Sequence, residues 1–112
     1  MSNYKKTILI DLDGVLNIYT GNYDENFIPP IQDGAKSFLE KLSVDYKVKI
    51  FTTRTSMLAT QWVINNGLQD CIDGVTNIKE PSYLQIDDRC IKFDGNYDNI
   101  IEQINNFQVW YK

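Results

Sequence analysis

Thr7 to Ile10 is a compact apolar run, rich in isoleucine, that stops abruptly at Asp11-Leu12-Asp13-Gly14. A short apolar run bounded by charge reads as a strand buried on both faces, the kind found in parallel sheets flanked by helices. Two carboxylates two residues apart at the end of such a strand repel each other unless a cation or a shared proton relieves them. This segment therefore asks for an α/β sheet, with a cation or a shared proton at the carboxyl end of its first, central strand.

The rest of the chain alternates in the same way. Leu16 to Pro30 is polar and aromatic, with turn material at Gly21-Asn22, and reads as a hairpin or long loop. Asp33, as N-cap, opens a helix whose Ala35, Phe38, Leu39 and Leu42 share a face. Lys47 to Phe51 reads as a second strand, followed by Thr52, Thr53 and Arg54. A helix from Ser56 carries Leu58, Ala59, Trp62 and Val63 on one face and closes at Asn66-Gly67.

Gly74 to Asn77, Tyr83 to Ile86 and Ile91 to Phe93 read as further short strands. Ile100, Ile101 and Ile104 mark a last helix, and Phe107 to Tyr111 an edge strand. Trp62 and Tyr83 are assigned to packing, and Trp110 with Tyr111 to a C-terminal edge or a partner contact. The alternation predicts a Rossmann-like three-layer α/β sandwich with a mainly parallel central sheet. At 112 residues the chain fills one domain, 1–112.

Composition narrows the chemistry. With no histidine and a net charge of -4, acid, base and metal-binding groups must come from carboxylates, lysine, hydroxyls or cysteine. An acidic chain repels nucleic-acid backbone on average, so nucleic acid stays open without being indicated. Cys71 and Cys90 lack the spacing of a zinc or redox motif and read as reduced thiols of a cytoplasmic protein. The N-terminal apolar run is too short for a signal peptide or a membrane span.

Four polar clusters follow predicted strand ends: Asp11 with Asp13, Thr52 with Arg54, Lys79, and Asp87 with Asp88. In open α/β sheets the ligand crevice lies outside the carboxyl ends of the strands, so these clusters should converge. Oxygen ligands with water suit a hard cation, and magnesium in particular binds through a few carboxylates plus substrate phosphate. Lys79 and Thr52 add a positive charge and a hydroxyl for phosphoryl oxygens. A carboxylate can then act as nucleophile and form an aspartyl-phosphate. Taken singly each residue has an ordinary reading as turn, strand or surface charge; no structural account explains them as a set.

Asp11-Leu12-Asp13-Gly14-Val15-Leu16 resembles the first motif of haloacid dehalogenase-like phosphatases, Thr52 their second, Lys79 their third and Asp87-Asp88 their fourth. The resemblance implies Asp11 as nucleophile and Asp13 as acid toward the leaving group, then base for water. It implies magnesium held by the Asp11 carboxylate, the Asp13 carbonyl and a fourth-motif carboxylate, with Asp88 favoured as ligand and Asp87 as support. Lys79 would neutralise the phosphoaspartate, and Thr52 would bond a phosphoryl oxygen. Arg54, in the Thr52-Thr53-Arg54 pattern of small members, would hold substrate phosphate or a neighbouring carboxylate. Only seven residues separate Lys79 from Asp87, where larger members often insert a helix.

Neither Asn17 to Pro30 nor Ser56 to Asn77 has room for a full cap domain, so an open site able to admit large or nucleotide-like substrates is expected. Tyr19, Tyr23 and Phe27 would stack on a base or sugar, or pack the flap. A receiver-like signalling domain is disfavoured because its phosphorylated aspartate follows an earlier acidic pair in mid-chain. Two alternatives to a phosphomonoesterase remain: a non-catalytic binder of a phosphorylated ligand or partner, and a phosphatase of nucleic-acid ends. A homo-oligomer that supplies a lid is left open.

Overall fold

The computed structural model describes residues 4–111. Along the chain run β1 (Lys6–Asp11), α1 (Ala35–Asp45), β2 (Tyr46–Phe51), α2 (Ser56–Asn65), β3 (Gly74–Thr76), β4 (Leu84–Ile86) and α3 (Tyr97–Asn105). The four strands form one wholly parallel sheet in the order β3-β2-β1-β4. This is the Rossmann-like α/β architecture expected from the alternation of strands and helices. No helix among the described residues is long and apolar enough to cross a membrane.

Strand alternation decides what each face buries. Ile10, Val48 and Ile50 share a face and join one apolar cluster with Ala35 and Leu39 of α1 and Ala59, Trp62 and Val63 of α2. On the opposite face Lys49 bonds Glu80 at 2.8 Å, which pins the β3–β4 connection across the sheet. α2 is capped by the Thr55 hydroxyl, which accepts from the Leu58 amide. α3 is capped by Asn96, whose side chain accepts from Asp98 and Asn99.

Several expectations are corrected. Gly34, at φ +87°, rather than Asp33, is the N-cap of α1, and no side chain caps that helix. Phe38 is 42% exposed, outside the buried core. Ile91 to Phe93 forms no strand: the chain turns just beyond it at Asp94, whose carboxylate accepts from the Asn96 amide. Phe107 to Tyr111 is not an edge strand either. Its contribution is made by side chains, with Trp110 Nε1 donating to the Gly14 carbonyl at 2.7 Å. Tyr83 lies outside the core, stacked on Tyr46 with Lys6 over its ring.

Candidate metal and phosphoryl site

β1 sits where the winding reverses, with β2 and β3 on one side and β4 on the other, which is where open α/β sheets bind ligands. Ile10 pairs with Ile86, so Asp11 and Asp87 emerge one step beyond, side by side. Thr52 emerges one step past the Asp11–Phe51 pair. A cleft of about 370 Å³ opens here, lined by the predicted Asp11, Asp13, Thr52, Thr53, Asp87 and Asp88 together with Tyr19, Tyr23, Arg89 and Tyr111.

Oxygens of Asp11, Asp87 and Asp88 lie within 4.8 Å of one another. Burial, the hydrogen bond shared with Asp88 and the charges of Asp87 and Asp88 push the Asp11 carboxyl up to about 8. Asp88 Oδ2 is buried and has no hydrogen-bond partner among the described residues. An acceptor buried in that state is costly unless something positive meets it. Three convergent carboxylates with an orphaned oxygen fit a hard divalent cation, whose preferred ligands are carboxylate, carbonyl and water oxygens.

The second carboxylate of the first motif has a different environment. Asp13 accepts from Arg54 Nε at 2.8 Å and Nη2 at 3.0 Å, a bidentate pair, and from Asn17 Nδ2 at 3.0 Å. Arg54 also donates through Nη1 to the Asp24 carbonyl, and the ring of Tyr23 lies against it. The Arg54 side chain is 0% exposed, so of its two expected roles it takes the neighbouring carboxylate, not substrate phosphate.

Asn17 is a residue the sequence did not single out. Its buried side chain accepts from the amides of Gly14 and Tyr19 while donating to Asp13, and so fixes the loop after β1. Gly14 needs its missing side chain twice. Its φ of +86° is left-handed, and a Cβ there would run into Asp88 Oδ2 and the Tyr111 ring. Asn77 was missed as well: its Nδ2 donates to the carbonyls of Thr52 and Arg54, which ties the end of β3 to the turn after β2.

Thr52 is buried, and its hydroxyl oxygen accepts from the Arg54 amide, which leaves the O–H to donate into the cleft. Lys79 is exposed and does not line the cleft. Phe27 is likewise exposed away from it, whereas Tyr19 and Tyr23 form its wall. Tyr111 packs edge-on against Tyr19, and burial together with the neighbouring Asp88 raises its hydroxyl to about 12. The only signal for Tyr111 in the sequence was an aromatic pair near the C-terminus.

No protein-family profile matches the chain, and no curated protein does. Among solved structures it is similar to a conserved protein coded by a locus of Bacteroides thetaiotaomicron. The TM-score is 0.61 at 18% identity, over 96% of this chain and 95% of that one. At that identity the likeness shows the fold.

Proposed function

We propose that this chain is a magnesium-dependent phosphohydrolase of the haloacid dehalogenase-like kind, a cytoplasmic phosphomonoesterase with Asp11 as its nucleophile. The observation that carries the reading is the convergence of Asp11, Asp87 and Asp88 at the switch point of the sheet, with a buried Asp88 oxygen that has no hydrogen-bond partner among the described residues. Asp11, Asp87 and Asp88 would hold the ion. When bound it supplies positive charge that keeps the Asp11 carboxylate ionised and offsets charge on the phosphoryl oxygens.

In this reading Asp11 attacks phosphorus as the bond to the leaving oxygen breaks, and water then hydrolyses the aspartyl-phosphate. Thr52 donates to a phosphoryl oxygen. Asp13 moves the proton, first to the leaving group and then from water, with Arg54 and Asn17 holding its carboxylate in orientation. The free thiols of Cys71 and Cys90 agree with a reducing compartment.

A second reading has its own support. A carboxylate gripped on both oxygens by a buried arginine is well made as a fixed acceptor, and this favours a protein that binds a phosphorylated ligand without turning it over. Phosphate release from a chromogenic phosphomonoester, with magnesium and with chelator, separates the two. The hydrolase reading expects magnesium-dependent release that falls to background in Asp11→Asn. Release that survives in Asp11→Asn would sink it, and an inert natural protein that still binds magnesium and phosphate would establish the binding reading.

A further inference from the structure

Three carboxylates and a phosphate group carry more negative charge than a single divalent cation offsets, so further positive charge in the cleft would strengthen binding of the phosphate. Among the described residues the cleft wall contains one cationic side chain, Arg89. Arg54 is committed elsewhere, buried against Asp13 and the Asp24 carbonyl. Lys79 is exposed and outside the cleft lining, and the Glu80 that follows it is paired with Lys49.

We propose that Arg89, and not Lys79, supplies the positive charge that binds the phosphoryl oxygens of the ligand. The proposal rests on the phosphate-directed reading of the cleft above. Arg89 follows Asp88 directly, and its own amide donates to Asp87 Oδ1 at 2.9 Å, so its backbone is anchored to the carboxylate cluster. Its guanidinium makes no hydrogen bond or ion pair among the described residues, although it sits in an acidic cleft. It lines the same cleft as Asp11, Asp88 and Tyr111. A guanidinium presents paired N–H groups that match two phosphoryl oxygens, and an exposed one on a short anchored turn can meet a ligand without leaving another partner unsatisfied.

The test is calorimetric titration of inorganic phosphate into the magnesium-loaded protein, alongside turnover of a phosphomonoester. Arg89→Ala is expected to weaken phosphate binding by about tenfold to a hundredfold, the worth of a hydrogen bond to a charged group. Arg89→Lys should recover part of the loss, because the point charge remains while the fork is gone. Lys79→Ala should stay within about twofold, as for an uninvolved surface charge. Unchanged phosphate binding in Arg89→Ala, or a loss confined to Lys79→Ala, overturns the proposal whether or not the protein turns over substrate. No phosphate binding by the natural protein overturns it too. Arg89-dependent binding without turnover overturns the hydrolase reading alone and leaves the proposal standing.

Discussion

Every buried residue among those described lies between Ile8 and Ile72, whereas residues 73–111 contain none. Both regions nevertheless build the cleft: Asp11, Asp13 and Thr52 come from the first, Asp87, Asp88, Arg89 and Tyr111 from the second. The first half of the site is set in a core whose loop bonds are fixed by Asn17 and Arg54. The second half hangs on the three-residue pairing of β4 with β1 and on the Trp110–Gly14 hydrogen bond. Asp11 and the acidic pair Asp87-Asp88 thus have unequal mechanical support. Damage to the core should unfold the protein, while damage to the C-terminal region should loosen the site and leave the fold standing.

The largest expected effect separates the two regions directly. Leu39→Ala, at a fully buried α1 position, should cost about 2–5 kcal/mol in denaturant unfolding, by lost burial and the cavity left behind. Ile101→Ala, on an α3 face that is 60% exposed at this residue, should change stability by no more than about 0.5 kcal/mol. Equal losses at the two positions would break the comparison.

Next in size is the dependence on pH and metal. The Asp11 carboxyl is raised from 3.8 to about 8 in the folded protein, so between those values the folded state holds a proton that the unfolded state has released. The contribution of this group to stability is therefore present at low pH and lost as pH rises through about 8. In chelator the melting temperature should fall across that window. Magnesium should flatten the fall, because it favours the ionised carboxylate. The same slope with and without magnesium would remove Asp11 from the proposed ion site.

The smallest effect sharpens the picture at the C-terminus. Trp110→Phe removes one hydrogen bond to Gly14 and should cost about 0.5–1.5 kcal/mol at most. Amide hydrogen exchange should accelerate in residues 107–111 and stay unchanged in β1 and β2. Faster exchange in those strands would mean that the C-terminal segment supports the core after all.

The elements best read from sequence are those whose pattern is local. β1 was legible because its continuous apolar run can satisfy its burial only inside a sheet, β2 because Val48 and Ile50 alternate with lysines, and α2 because Ala59, Trp62 and Val63 recur at helical spacing. Ile91 to Phe93 and Phe107 to Tyr111 misled for the opposite reason. A short apolar stretch says nothing about whether a sheet edge awaits it, and Trp110 and Tyr111 are used as side-chain anchors on the β1 loop.

Within the site, sequence alone put Asp11 and the pair Asp87-Asp88 at strand ends, because Asp11 closes one apolar run, the pair follows another, and parallel strands end on one edge. Tertiary structure decided how the remaining side chains are used. It turned Asp13 to Arg54, 41 positions away, left Lys79 outside the cleft, and brought Arg89 and Tyr111 into its wall. The physical reason is that a charge or an aromatic ring at a loop position has no periodic burial to satisfy. Its direction follows from the partners that the folded backbone places within reach, and those partners are distant in sequence.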